Sequence, residues 1–385
     1  MIHTLNGLTT KEKLKKLIQI KSTTPPGEVR AMVDCLCRFA DATGAQVELQ
    51  EVEPNKSNCI LTYDFGEGRT LVFNTHMDVN NPAGQIWSFD PFSPFEENGR
   101  LYGLGACDAK GSMSAMLTAF ERVALKPNGI KGKIVFTAVM GEEAGGIGSL
   151  YLANHGLKGD AGVVGEPTKL NVCTAHKGTY MRRITFRGKA AHSASSHLGI
   201  NAIDHAAQFC VLYSELNETL KQNPHPVLGV ANASVTIIEG GTRQNTIPEN
   251  CSVIIDRRLL PGETSQKADD ELDKIICKLK ELKPDANIES VEVIVSTVPS
   301  QTQTNAEIVT LALEKVNKIV GEGHTASGFN AGCDMSKLVN IAGIPTVIIG
   351  PGSLKNAHSP DEFVDLTQLN QASDIYEQLI RDYLK

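Results

Sequence analysis

The stretch "KIVFTAVMGEEAGG", Lys133 to Gly146, contains the pattern on which both the fold and the function depend. Its apolar, β-branched run at residues 134–139 predicts a strand that is buried in a sheet. Two adjacent carboxylates, Glu142 and Glu143, follow where that strand ends. Like charges side by side repel each other, and burying either one without a partner is costly. A solvated loop would explain a lone pair of this kind. Other residues of the chain must therefore show whether Glu142 and Glu143 lie in such a loop or in a functional site.

Composition sets the first limits. The chain has 385 residues, 41% of them hydrophobic and 21% charged, which is typical of a globular protein with one or two domains. A net charge of −7 argues against a nucleic acid partner. The start of the chain lacks a signal peptide pattern, and no later run reaches membrane-spanning length, so we expect no membrane partner. Nine cysteines without a C-x-x-C pair predict buried thiols and a cytoplasmic location.

Strand and helix patterns alternate in the N-terminal half. The predicted strands are "CILTY", "TLVFNT", "KIVFTAVM" and "AGVVGE", and "GSMSAMLTAFERVAL" between them has helical spacing. This alternation predicts the α/β class, with a mostly parallel sheet flanked by helices. The middle of the chain instead follows the order βαββαβ, a split βαβ unit. We therefore predict a catalytic domain at 1–177 and 297–385, with residues 178–296 inserted into it.

Ionisable residues follow the apolar runs of the larger domain. "TLVFNT" leads into His76 and Asp78, "AGVVG" into Glu166, and "TVIIGPGSLKNA" into His358. Asp108 comes just before the predicted helix. Open α/β sheets bind ligands outside the carboxyl ends of their strands, so we expect these side chains to converge on one edge.

Two imidazoles with several carboxylates are a ligand mixture suited to zinc or a similar divalent ion. The number of ligands exceeds one tetrahedral site, which indicates two ions that share a bridging carboxylate. Two other chemistries, nucleotide binding and hydrolysis by a serine or cysteine nucleophile, fit less well. "GLGACDAKGS" matches neither G-x-G-x-x-G nor the P-loop pattern, and neither Cys107 nor Ser112 lies in a G-x-S-x-G elbow.

The chain resembles the co-catalytic zinc amidohydrolases, a family that includes acetylornithine deacetylase, succinyl-diaminopimelate desuccinylase, aminoacylase and glutamate carboxypeptidase. The resemblance covers nearly the whole chain in the same order. It rests on "NTHMDV", "GLGACDAKGSMSAML", "GEEAGGIGS", "GEPTKLNVCTAHKG", "GKAAHSASSHLGINAI", "GGTRQNTIPENCSVIIDRRLLPGE" and "GPGSLKNAHSPDEF". It implies a zinc-exopeptidase-like fold whose inserted domain serves as a lid and dimerisation domain, and hence a homodimer.

The resemblance also implies a role for each strand-end residue. The implied metal ligands are His76, Asp108, Glu143, Glu166 and His358. Asp108 would bridge the two ions, with His76 and Glu166 completing one site and the remaining two ligands completing the other. A cis peptide is expected after Asp108.

Two further residues of this edge have implied roles beside the metals. Glu142 would stay unligated and act as the general base that takes a proton from the attacking water. Asp78 would orient the imidazole of His76, because a ligating His usually has such a partner.

In the inserted domain, the resemblance implies that His192 reaches across to the other subunit's site, where it would stabilise the oxyanion of the tetrahedral intermediate. Asn245 and Arg258 match substrate-binding positions, since Arg binds a carboxylate in bidentate fashion. The neighbouring Arg257 is assigned to structure or solvent. Gly332 resembles part of a substrate-side loop of the large domain.

The expected function is metal-dependent hydrolysis of the amide bond of an N-acyl amino acid. "GEPT…AHKG" and "GPGS…AHSPDE" are especially similar to acetylornithine deacetylase, which implies N-acetyl-L-ornithine as substrate and a place in arginine biosynthesis. A desuccinylase, a dipeptidase or a carboxypeptidase of the same family are alternatives. A different class, a silent binding protein on the same fold, should lack a ligand or the base, and all of these residues are present. Zinc, cobalt and manganese all suit such ligands.

Overall fold

The structure is a computed structural model and describes residues 4–385. The chain folds into two compact units. The first contains the described residues through Ala175, then Gln301–Phe329 and Cys333–Lys385; the second contains His176–Ser300 and Asn330–Gly332. The predicted insertion, 178–296, falls inside the longer segment of the second unit. The first three residues of the predicted catalytic domain lie outside the described part of the chain.

The helices have the following bounds: α1 Thr10–Gln19, α2 Arg30–Thr43, α3 Lys110–Leu125, α4 Ile147–Asn154, α5 Ala202–Leu220, α6 Ser265–Leu282, α7 Glu307–Val320, α8 Met335–Asn340 and α9 Leu366–Tyr383. A 3₁₀ segment spans Ser193–Leu198. The strands have the following bounds: β1 Thr23–Thr24, β2 Gln46–Glu53, β3 Lys56–Asp64, β4 Thr70–His76, β5 Val79–Asn80, β6 Phe95–Glu97, β7 Arg100–Tyr102, β8 Lys133–Val139, β9 Ala161–Val164, β10 Cys173–His176, β11 Gly178–Arg187, β12 Ala191–His192, β13 Asn232–Gly240, β14 Thr246–Ile247, β15 Asn250–Leu259, β16 Ile288–Ser296, β17 Ser300–Gln301, β18 Ser327–Phe329, β19 Thr346–Ile348 and β20 Phe363–Asp365.

The main sheet of the first unit has a parallel centre. Its order includes β10-β19-β9-β4-β8-β3-β2, and the pairs β19-β9, β9-β4 and β4-β8 are parallel. The prediction of a mostly parallel sheet therefore holds at the centre. The flanks of the sheet are antiparallel, since β3 pairs antiparallel with both β8 and β2, and β10 pairs antiparallel with β19. Strand β3 reverses direction because only a short turn separates it from β2.

The main core lies against this sheet. Strand β4 is buried from its second residue onward, as an apolar run in a parallel sheet covered by helices should be. Phe73 of β4 contacts Phe120 of α3 and Tyr376 of α9 edge-on, with ring centroids 5.1 and 5.7 Å apart. Both helices thus pack on the strand that ends in His76, which fixes the position of that side chain.

The second unit is a four-stranded antiparallel sheet with two helices. Its elements follow the order β11-α5-β13-β15-α6-β16, and the strand order in the sheet is β13-β15-β11-β16. This is the predicted split βαβ arrangement. Its core includes Phe186 and Phe209, whose ring centroids lie 5.6 Å apart. Across residues 4–385, no helix combines the length and apolar character that crossing a bilayer requires.

Candidate metal centre

Three parallel neighbours place their carboxyl ends side by side. His76 is the last residue of β4, Glu142 and Glu143 follow β8, and Glu166 follows β9. His358 comes later in the loop after β19, with a backbone φ of 58°. The side chains that follow these strands therefore lie at one edge of the sheet, as predicted.

Asp108 reaches the same edge from the segment before α3. The peptide bond between Asp108 and Ala109 is cis, as the resemblance implied. Helix α3 begins at Lys110 and is buried along most of its length, which holds Asp108 against the sheet.

Two groups of side chains share Asp108. In the first, Nε2 of His76 lies 3.1 Å from Oδ1 of Asp108 and 3.9 Å from Oε1 of Glu166. In the second, Nε2 of His358 lies 3.2 Å from Oδ2 of Asp108 and 3.1 Å from Oε2 of Glu143. Within each group the ligand atoms lie within 4.8 Å of one another. The two oxygens of one carboxylate thus face two imidazoles, as a bridging ligand does.

The donor set suits a pair of divalent cations. Oε1 of Glu143 is buried and accepts no hydrogen bond from any described residue. A buried carboxylate oxygen without a partner is costly unless a cation lies next to it. Imidazole and carboxylate ligands are those that zinc and related ions take. The residues therefore fit the metals that the resemblance implies.

The pKa values of the ligand groups, in the protein without metals, also indicate that the buried carboxylates need a compensating positive charge. Burial, with the Asp108 carboxylate next in effect, raises the pKa of Glu166 well above its usual range. Hydrogen bonds to Asp108 and Glu143 raise the pKa of His358 to about 11. Burial alone would lower the pKa of His76, yet the carboxylates of Asp108 and Glu166 raise it well above its usual value. Without metals, protons on the imidazoles offset the carboxylate charge.

Glu142 lies beside these groups but belongs to neither. Burial, followed by the nearby Asp334 carboxylate, raises the pKa of Glu142 to about 8. Its backbone N–H donates to Oδ1 of Asp78 at 3.2 Å. A carboxylate in this position is free to exchange a proton, because no ligand group includes it.

Asp78 makes a different contact from the expected one. Nδ1 of His76 lies 2.8 Å from the backbone carbonyl of Asp78 and 3.9 Å from its carboxylate. The carboxylate instead accepts the N–H groups of Glu142 and Glu143, each at 3.2 Å, and the Thr24 hydroxyl at 3.0 Å. The imidazole is thus oriented by the main chain, and the side chain holds the loop after β8.

The structure brings together two of the predicted residues of the second unit. Strand β12, which ends at His192, pairs with β14, and the N–H of Ser193 donates to the carbonyl of Asn245 at 2.9 Å. Nδ1 of His192 accepts the N–H of Ala194 at 3.1 Å. The neutral imidazole of His192 therefore carries its proton on Nε2, where it can donate to an oxyanion.

The register of β15 separates the two neighbouring arginines. Arg257 is buried and pairs with Glu263 at 2.7 Å and with Glu271. Arg258 is 30% exposed, with contacts to Asp256 and Thr179 at 3.0 Å each. Arg257 therefore has the structural role expected of it, and Arg258 keeps part of its side chain exposed.

One placement needs correction. The resemblance places Gly332 in a loop of the large domain, but the residue groups with the second unit. The loop crosses between the units within a few residues, and Asp334 belongs to the first, where it is buried and lies 3.2 Å from Nζ of Lys337. Sequence reasoning also missed Glu362, a buried acid that bonds the loop of Asp108. Its position four residues after His358, in "AHSPDEF", was the available signal.

The chain is similar to known proteins over most of its length. The model of peptidase family M20/M25/M40 matches residues 72–382. Acetylornithine deacetylase of Proteus mirabilis is 29% identical over 92% of this chain and 90% of its own length. The Vibrio vulnificus protein of the same name is 29% identical over 92% of each chain.

Solved structures share the fold. A tripeptidase from Staphylococcus aureus has a TM-score of 0.81 at 22% identity, covering 97% of this chain and 98% of its own. A dinuclear metal-binding peptidase from Bacillus subtilis has a TM-score of 0.72 at 16% identity, covering 97% of each. These likenesses confirm the α/β fold class. The chain therefore belongs to peptidase family M20/M25/M40 and is a metal-dependent amidohydrolase.

Proposed function

We propose that the chain hydrolyses N-acetyl-L-ornithine to L-ornithine and acetate. The observation that carries the reaction class is the shared carboxylate of Asp108, which faces His76 and His358 at 3.1 and 3.2 Å while Glu142 remains outside both groups. The choice of substrate is supported by relatives named acetylornithine deacetylase, which align with about nine-tenths of the chain.

The proposed ligands divide into two sites around Asp108. His76 and Glu166 would hold one ion, and Glu143 and His358 the other, with zinc as the proposed metal. Such ions supply Lewis-acid chemistry, because they lower the pKa of a water and polarise an amide carbonyl. Three carboxylates and two neutral imidazoles around two divalent ions would offset all but one of the four positive charges, which limits the cost of burying the ions.

We assign proton transfer to Glu142. One of its carboxylate oxygens takes the proton from the attacking water and passes it to the departing amine nitrogen. A group whose pKa lies near the working pH can do both, and burial has already moved Glu142 in that direction. A positioned general base typically contributes about 100- to 10,000-fold in rate.

The second unit supplies the proposed substrate contacts. His192, with its proton on Nε2, would reach the site of the other subunit and donate to the oxyanion that forms there on the former carbonyl oxygen. Arg258 would bind the free carboxylate of the amino acid, and Asn245 another polar group of the substrate. We further propose that the enzyme is a cytoplasmic homodimer joined through the second unit, and that it acts in arginine biosynthesis.

A substrate panel tests this proposal. Zinc-reconstituted protein would be assayed on N-acetyl-L-ornithine, N-succinyl-LL-diaminopimelate, other N-acyl amino acids and dipeptides. We expect kcat/KM for acetylornithine to exceed the others by about 100-fold, which corresponds to roughly 2.7 kcal/mol of transition-state discrimination. A preference for the succinyl substrate or for dipeptides would overturn the substrate and keep the mechanism. No hydrolysis by metal-replete protein would overturn both.

A further inference from the structure

Glu362 is a buried acid whose side chain binds main-chain groups of the segment that carries Asp108. Its Oε2 accepts the N–H of Gly105 at 2.8 Å, and its Oε1 accepts the N–H groups of Cys107 and Asp108 at 2.7 and 2.9 Å. The residue is 2% exposed. One carboxylate thus satisfies three amides of a short irregular segment that has no strand or helix to pair them.

The main chain around Glu362 is tied to the same segment. Strand β20 pairs antiparallel with β7, and Phe363 lies opposite Tyr102. The carbonyl of Glu362 accepts the N–H of Gly103 at 2.9 Å. Hydrogen bonds therefore connect the two segments at three successive places: between strands β20 and β7, at the backbone carbonyl of Glu362, and at its carboxylate, which accepts the N–H of Asp108.

This arrangement links two ligands that are far apart in the sequence. His358 precedes Glu362 by four residues, and Nε2 of His358 lies 3.2 Å from Oδ2 of Asp108. The other oxygen of Asp108 lies 3.1 Å from Nε2 of His76. A small displacement of the Asp108 main chain would therefore change both ligand groups at once.

We propose that Glu362 is a positioning residue for the metal centre: by holding the N–H groups of Gly105, Cys107 and Asp108, it fixes the shared carboxylate relative to both histidines. The proposal rests on the metal centre described under the proposed function. It goes beyond that centre, because Glu362 belongs to neither ligand group and acts through the main chain of the segment that carries Asp108.

The substitution Glu362→Gln tests the role with little change in shape. Glutamine offers a single acceptor oxygen, and its NH₂ group would face a backbone N–H, so at least one buried amide loses its partner. Groups that orient metal ligands typically contribute 10- to 100-fold to metal affinity. We therefore expect Zn²⁺ affinity, measured by competition with a chromophoric chelator, to fall by about 10- to 100-fold. The visible absorption of the Co²⁺-loaded variant should also change, because ligand geometry sets that spectrum.

A matched control is available in the same unit. Glu121 is also a buried acid that accepts a backbone N–H, from Gly7 at 2.6 Å, and it pairs with Lys13 at 2.7 Å. Glu121→Gln should lower stability while leaving Zn²⁺ affinity and the Co²⁺ spectrum unchanged. Equal losses of metal affinity in the two variants would show a general effect of core damage and would overturn the proposal.

Other outcomes are equally decisive. If folded Glu362→Gln protein binds Zn²⁺ as tightly as wild type, the proposal is wrong and the metal centre stands. If wild-type protein binds no Zn²⁺, both fail. Should the variant not fold, hydrogen exchange in the wild-type protein gives the answer, because the amides of Gly105, Cys107 and Asp108 must exchange slowly. Rapid exchange at these amides would overturn the proposal.

Discussion

The carboxylate of Asp78 accepts the backbone N–H of Glu142 at 3.2 Å. The same side chain accepts the N–H of Glu143, so it holds the proposed base and a proposed metal ligand through their main chain. We expect Asp78→Asn to lower kcat/KM by about 10- to 100-fold, since an amide offers one acceptor oxygen where the carboxylate offers two. Steady-state kinetics of the zinc-loaded variant would measure this loss.

Asp64 provides a control for that substitution. It accepts a backbone N–H from Gly66 at 2.9 Å in the same unit, at the exposed end of β3. Asp64→Asn should leave kcat/KM within about twofold of wild type, as expected of a surface change away from the site. Wild-type activity in Asp78→Asn would show that the loop after β8 keeps its position without this carboxylate.

Removal of Arg257 should destabilise the second unit. Arg257→Met leaves Glu263 and Glu271 without their common partner, and breaking a buried pair in this way typically costs about 3 to 5 kcal/mol. Urea unfolding followed by circular dichroism would measure the change in the free energy of unfolding. A loss below about 1 kcal/mol would contradict the structural role.

Arg258→Met should leave stability nearly unchanged but weaken substrate binding, in contrast to Arg257→Met. The Arg258 side chain is partly exposed, so we expect a change in stability below about 1 kcal/mol. If it binds the substrate carboxylate, KM for acetylornithine should rise by about tenfold or more, because a charged hydrogen bond is lost. An unchanged KM would remove Arg258 from the substrate site.

Metal binding should release protons and strengthen as the pH rises. Without metals, hydrogen bonds to Asp108 and Glu143 raise the pKa of His358 to about 11, and the pKa of His76 is also raised. Both imidazoles are therefore protonated at pH 7 and must lose a proton to bind a cation. Burial also raises the pKa of the ligand Glu166 well above its usual range, so Glu166 must release its proton as well. Calorimetry in buffers of different ionisation enthalpy should therefore show at least two protons released when both sites fill. No proton release would mean that the histidines are not ligands.

The central strands and the residues that follow them could be predicted from the sequence. Strands β4, β8 and β9 lie inside a sheet covered by helices, so each reads as an apolar run, and the polar residue after each run marks the edge. The contacts of Asp78 and Glu362 could not be predicted in this way. Both side chains bind main-chain N–H groups of segments distant in sequence. The position of Glu362 four residues after His358 marks it as a candidate, but spacing along the chain does not show which N–H groups it or Asp78 binds.

Two other features depended on pairing that the sequence leaves open. The direction of β3 is set by its hairpin with β2, which an isolated apolar run such as "CILTY" does not reveal. Arg257 and Arg258 are adjacent in a strand, so they point to opposite faces, and only the register of β15 against β11 decides which one is buried. Tyr180 lies opposite Arg257 and Thr179 opposite Arg258 in that register.

Hydrolysis of N-acetyl-L-ornithine by Glu142→Ala protein, with its metal content measured in the same sample, is the most direct test. We expect the variant to bind both ions as wild type does, because Glu142 belongs to neither ligand group. Its kcat should be about 100- to 10,000-fold lower, since the substitution removes the proposed general base. Turnover close to wild type in the metal-replete variant would contradict the proposed mechanism.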